Sequence, residues 1–315
     1  MTGRVVTFGE TMALARASAV GSLAYVNQLD LGIGGAESNV AIGLARLGAS
    51  ATWIGRVGAD SLGDRVLREL RGEGLDVRAI VDPGAPTGFM LKEHRTADAT
   101  RVLYYRAASA GSRLAPADLV DADIASAALL HVTGITPALS SSAAAATTAA
   151  IDQAVAAGVP VSFDVNHRSS LWGDRDASAV YRAIAERSTM VFAGEDEARL
   201  LAPSATTALE LARGVAALGP AEVIIKLGAQ GALALVDGSE YRQAAVPIRP
   251  VDTVGAGDAF VAGYLAEYLL GLPVAARLTT AVATGAFACL NPGDWEGFAR
   301  RDELGLLGAS EPVIR

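Results

Sequence analysis

The sequence predicts an α/β fold, with a mostly parallel central sheet, helices on both of its faces and a small antiparallel β lid. Three observations predict it. Apolar strand-like runs alternate with amphipathic or Ala-rich helical runs along most of the chain. The strand-like runs are apolar on consecutive residues, as expected where both faces of a sheet are covered. Between Thr87 and Arg106 a hairpin-like pair interrupts the alternation. No internal repeat, linker or low-complexity tail divides the 315 residues, so residues 1–315 read as one domain. The lid is expected at about 11–33 and 86–109 within it.

The first strand is VVTFG, Val5 to Gly9, and a polar, small-residue stretch follows it to Asp30. In LGIGGAESNVAIGLARLG, Gly34 and Gly35 form a tight turn, and Val40, Ile42, Leu44, Ala45 and Leu47 give an apolar helical face that stops at Gly48, a C-cap signal. ATWIGRVG is a strand with its turn. LGDRVLRELRGEG is an amphipathic helix with Leu62, Val66, Leu67 and Leu70 on one side. GFMLKEHR and TRVLYYR, joined by TADA, make the hairpin. Strand–helix units then resume: ALLHVTG with SSAAAATTAAIDQAVAAG, VPVSFDVN with SAVYRAIAERS, TMVFAG with TTALELARGVAALG, and AEVIIKLG. A second hairpin, GALALVD with EYRQAAVP, precedes two helices around Phe260 to Leu270 and Leu278 to Leu290.

Composition removes several function classes. A net charge of −8 with no basic stripe argues against nucleic acid as the main partner. No apolar run has the length of a membrane span. Lone Cys289 excludes an internal disulfide, and MTGRVVTFGE lacks a secretory pattern, so a cytoplasmic location is expected. With one Cys and three His a structural zinc site is not expected; Mg²⁺ held by carboxylate, water and phosphate is. Among 26 basic residues only Lys92 and Lys226 are lysines, which marks both.

VDTVGAGDAF, Val251 to Phe260, has the form of an anion site. Gly255 and Gly257 let the backbone approach a ligand, and the helix beginning near Ala256 directs N–H groups and its positive dipole end at the same place. Asp258, in the first turn of that helix, either serves the helix dipole or removes a proton from whatever attacks a bound phosphate. Ligands of open α/β sheets bind beyond the carboxyl ends of the strands. There the sequence places Glu10, Asn166, Arg168, Glu195 to Glu197, Gly228 and Gly231. KLGAQG, Lys226 to Gly231, can approach a nucleotide or make a plain turn. No GxxxxGK[ST] is present and no GxGxxG follows the first strand, which disfavours a nicotinamide oxidoreductase.

GGAESNVAIGLARLG and DTVGAGDAF together resemble the paired signatures of the ribokinase-like (PfkB) carbohydrate kinases. GRVGADSLGDRV, KLGAQG and the strand order extend the resemblance over essentially the whole chain. Within that family, GE at Gly9 and Glu10, YYRAASAGSRL, HVTGITPALS and DVNHRSSLW are most similar to the 2-keto-3-deoxygluconate kinase branch. The resemblance implies ATP- and Mg²⁺-dependent phosphorylation of the C6 hydroxyl of that sugar acid. A fructokinase-like ketose kinase is the alternative, and a non-catalytic sugar-binding regulator a further one.

By the same resemblance Asp258 is the base, and Gly255, Ala256 and Gly257 offer N–H groups to the transferring phosphoryl. Gly34 and Gly35 would let the sugar lie on backbone, with Asn39, Met90, Tyr104, Arg106, Arg168 and Asp294 around it. Tyr104, Arg106 and Arg168 suit a carboxylate, which arginine binds through paired hydrogen bonds. Asn39 equally suits a hydrogen bond within its own helix. Asn166, Arg168, Lys226, Gly228, Gly231, Gly255 and Gly257 are expected at ATP, and Glu197 indirectly at the metal. Two positions depart from the family pattern: Gly194 stands for Asn in GEDE, and Met90 for a sugar-contacting tyrosine. Tyr25, Leu29, Leu31, Phe89, Leu91 and Leu103 give the lid enough apolar surface to expect pairing of two lids in a homo-oligomer; packing of each lid on its own domain is the alternative.

Overall fold

The computed structural model describes residues 3–96 and 99–307. Among these the chain opens with β1 (Val5–Phe8), β2 (Met12–Ala17), β3 (Leu29–Gly34), α1 (Ala36–Arg46), β4 (Ala51–Gly58), α2 (Ser61–Gly72) and β5 (Asp76–Asp82). The hairpin is β6 (Phe89–Thr96) with β7 (Ala99–Tyr105), and residues 97–98 of its TADA turn lie outside the described residues. Then come β8 (Leu129–Thr133), α3 (Thr136–Leu139), α4 (Ser141–Ala156), β9 (Val161–Asp164), α5 (Ser169–Trp172), α6 (Ala177–Ala185), β10 (Met190–Gly194), α7 (Glu195–Leu201) and α8 (Ala208–Ala216). β11 (Glu222–Lys226), β12 (Ala232–Val236), β13 (Ser239–Gln243), α9 (Ala256–Leu269) and α10 (Val274–Ala288) complete the framework.

The large sheet has the order β13-β12-β11-β10-β9-β8-β1-β4-β5. Every pairing from β11 to β5 is parallel; β12 alone runs against them, so the β11–β12 and β12–β13 pairings are antiparallel. Alternate residues of one strand enter different cores: Val191 and Ala193 of β10 pack with α4, α6 and α8, whereas Met190 and Phe192 pack with α1, α2, α9 and α10. Two-sided burial is why these strands lack polar alternation. Each fully buried large apolar side chain contributes roughly 1.5–3 kcal/mol.

Strand order reverses at β1, whose neighbours are β8 and β4. Directly beyond its carboxyl end the chain enters the small sheet, β3-β2-β6-β7. This sheet joins two antiparallel hairpins, β2–β3 and β6–β7, by one parallel pairing of β2 with β6. It therefore stands over the reversal point, where an open α/β sheet leaves a crevice.

α9 is apolar on all sides, because α1, α10 and the sheet enclose it. Its first turn is set by Gly255, whose φ of +76° is left-handed and whose absent Cβ would stand 1.8 Å from the carbonyl oxygen of Asp294. Only glycine meets both conditions. The expected C-terminal stop of α1 is present, with Leu47 at the cap and Gly48 following at φ +88°.

Candidate active site

The carboxyl ends of β9, β10 and β11, the start of α9 and the underside of the small sheet enclose a cavity of about 760 Å³. Asp258 lies in its wall. α1 packs on α9, so that Asn39 donates to Asp258 Oδ2 at 2.8 Å, while Asn166, held at a left-handed φ of +39° beyond β9, reaches Oδ1 at 3.3 Å. Burial pushes the Asp258 carboxyl up to about 7, and Asp164 adds to the rise. The Asn39 hydrogen bond, Arg168 and Lys226 hold it from going further. A carboxylate poised near neutrality suits a general base. Asn39 thus orients the base, a role that neither of its two sequence readings named, while its Oδ1 accepts from the Gly35 N–H at 3.5 Å.

Lys226 ends β11 and pairs with Asp164 at the end of β9, Nζ to Oδ1 2.7 Å. Burial alone would lower the ammonium's pKa; Asp164 and Glu197 outweigh it and raise it. The same Nζ lies 3.7 Å from the point where a Cβ on Gly257 would stand, so Lys226 faces the anion turn. Asp164, absent from the sequence-derived candidates, is a fully buried carboxylate whose Oδ2 has no hydrogen-bond partner. Its only sequence signal was a lone acid closing an apolar strand.

Glu197, at the start of α7, accepts from the backbone N–H of Gly194 (2.6 Å) and His167 (2.9 Å). Burial works against its charge, but Lys226 and these two N–H groups prevail and its pKa is lowered. Asp164 with an orphan oxygen and Glu197 with a retained charge suit Mg²⁺, which binds through one or two carboxylates, waters and phosphate oxygens. Among the described residues no group of three or more His, Cys, Asp or Glu is placed to hold a metal ion by itself.

A second cavity of about 540 Å³ shares Lys226, Gly228, Thr253 and Gly257 with the first. Val246, Pro247, Ile248, Phe260, Val282 and Cys289 make its walls apolar. An apolar slot opening onto a Lys–Gly anion turn can take a nucleotide base with its phosphates toward Asp258. Gly228 and Gly231 fall here, and Gly231, at φ +96°, would clash with Gln243 O if it bore a side chain. Ala256 also lines this second cavity rather than the first.

At the lid end Met90, Tyr104 and Asp294 line the main cavity as expected. Two expected sugar contacts sit differently. A Cβ on Gly35 would stand 2.4 Å from Glu10 O, so its smallness admits the chain's own β1–β2 connection rather than a sugar. Gly34 lies behind Asp294 and Met90, whose atoms would be 2.3 and 2.4 Å from a Cβ there. Arg106 is also displaced from its expected place: it opens onto an adjoining cavity and is ion-paired to buried Glu10 at 2.6 Å, so its charge is already answered. Arg168, exposed, borders both cavities and donates to His167 O at 3.3 Å; among the described residues no carboxylate pairs with it.

The profile of the pfkB family carbohydrate kinases matches residues 2–298. The chain belongs to that family. A 2-dehydro-3-deoxygluconokinase of Bacillus subtilis is 39% identical over 318 residues, covering 98% of this chain and 96% of that protein. A 2-dehydro-3-deoxygalactonokinase of Haloferax volcanii is 34% identical, covering 93% of each. Among solved structures, an Escherichia coli ribokinase II candidate in complex with ATP and Mg²⁺ superposes with a TM-score of 0.89 at 26% identity, over 96% of this chain and 98% of that one. The protein is thus a carbohydrate kinase on the ribokinase-like fold, the assignment that the paired glycine motifs implied.

Proposed function

We propose that this kinase transfers the γ-phosphoryl group of ATP to the C6 hydroxyl of 2-keto-3-deoxygluconate, giving 2-keto-3-deoxy-6-phosphogluconate and ADP. The observation that carries the reading is a buried carboxylate with a pKa near 7, Asp258, in a cavity also lined by Arg168, with which no carboxylate pairs among the described residues. Asp258 takes the hydroxyl proton as the new O–P bond forms and the bond to the ADP oxygen breaks. Such base assistance typically gives ~10²- to 10⁴-fold. N–H groups at Gly255 to Gly257 and the Lys226 ammonium meet the charge on the phosphoryl oxygens. Asp164, and indirectly Glu197, would hold Mg²⁺, which would supply further positive charge to the phosphates. Arg168 answers the sugar's carboxylate, and Tyr104 flanks it.

The same reading extends to the setting. ATP as donor and a single free cysteine fit a cytoplasmic enzyme, and among the described residues no helix is long and apolar enough to cross a membrane. We infer further that residues 1–315 work as one catalytic domain and that two copies pair through their lids, where Tyr25, Leu29 and Leu31 are exposed.

ATP consumption across a panel of sugar acids and neutral sugars tests the substrate. The keto acid is expected to give a kcat/KM at least ~10-fold above fructose, the difference one charged hydrogen bond supplies. A preference for fructose would leave a kinase with a different substrate.

A further inference from the structure

Lid and core are joined at the cavity wall by a buried ion pair. Lys92 on β6 is 1% exposed, and its ammonium donates to Oδ1 of Asp294, beyond α10. Asp294 is fixed from two sides: its carbonyl oxygen is packed against Gly255 at the anion turn, and its Oδ2 lies over Gly34. Withdrawing two charges from water costs more than the pair returns unless its geometry is excellent, so packing alone gives no reason to keep it. The pair lines the cavity that holds Asp258, and the chain's other lysine, Lys226, makes a second Lys–Asp pair in the same cavity. Both of the lysines that this arginine-rich sequence retains are spent there.

We propose that Lys92 is a positioning residue for the sugar: carried on the lid strand, it orients Asp294 and keeps it charged, so that Oδ2 accepts a hydroxyl of the bound substrate. Because the cation comes from the lid and the anion from the core, the sugar-binding carboxylate is complete only when the lid strand is seated. The groups facing Asp294 are Lys92 from β6, Glu296 from its own loop and Asp252 from the turn before α9. Burial already raises the Asp294 carboxyl, with Glu296 and Asp252 adding to it, and Lys92 is the opposing charge. Without Lys92 only like charges remain.

This inference rests on the sugar-kinase reading, but not on which sugar is used; the substrate found in the panel serves. Initial rates for K92R, K92M, D294N and K92M/D294N between pH 5.5 and 8.5 provide the test. K92M is expected to raise the sugar KM about tenfold or more, the loss of a charged hydrogen bond, while the KM for ATP stays within about twofold. Its sugar KM should fall as pH rises and Asp294 regains its charge, and K92R should recover most of the loss. The double variant should be no worse than D294N, because the two residues act as one unit. Equal increases in both KM values, a sugar KM for K92M that ignores pH, or additive losses in the double variant would reduce the pair to a fold contact. Should K92M not fold, an unchanged sugar KM in D294N would overturn the proposal by itself.

Discussion

Arg106 and Arg168 are alike in sequence and unlike in place. Both were legible as cations near an acid substrate, but a sequence does not show which buried carboxylate will claim one of them. Glu10, at the end of β1, receives Arg106 and the Ser109 hydroxyl, so that arginine is committed before any ligand arrives. Arg106→Ala would strand a buried anion, and breaking a buried pair costs roughly 3–5 kcal/mol. The expected result is a markedly lower melting temperature with activity on acidic and neutral sugars reduced together. Arg168→Ala should leave melting nearly unchanged and raise the KM for the keto acid about tenfold, with little effect on fructose. Kinetics with both sugars beside a thermal melt separate the two; if Arg168→Ala treats the sugars alike, its carboxylate role is lost. Asp258, Lys226 and the glycine turn could be read from local motifs. The pairings Lys92–Asp294 and Lys226–Asp164 could not, since each joins residues far apart in the chain.

At the scale of elements, β2 fell within the expected lid, but its composition hid where the strand lies. MALARA has helix-forming residues and no β-branched one, yet it lies inside the small sheet between β3 and β6, and tertiary pairing overrides propensity. β5 was missed for the opposite reason: as an edge strand it carries Asp76, Arg78 and Asp82 and looks like a polar loop. The lid's surface also differs from its sequence reading. Tyr25, Leu29 and Leu31 are exposed as expected, joined by Tyr105 and Val20, whereas Phe89, Leu91 and Leu103 are half-buried. If two lids pair through this surface, light scattering at micromolar concentration should give a dimer mass, and Leu31→Lys should return it to the monomer. A monomer for the parent protein would reject the pairing.

Across the whole molecule the alternation of strand and helix was the legible signal, because two-sided burial writes it into every central strand. It located the carboxyl edge of the sheet, and with it the cavity. What composition could not convey is the cost of that cavity: Asp258 is buried, and its folded pKa of about 7 lies above the ordinary 3.8. The proton it prefers to hold therefore stabilises the fold below pH ~4 and is progressively lost as pH rises to about 7. Catalysis needs the opposite form, so stability and activity respond to pH in opposite directions. The most direct test of the account is the initial rate of phosphorylation by the parent enzyme and by Asp258→Asn from pH 5.5 to 8.5. The account expects the parent rate to fall as pH drops below about 7, and the variant to be slower by ~10²-fold or more at every pH while still binding ATP. A parent rate that is flat through this range, or a variant nearly as fast as the parent, would contradict it.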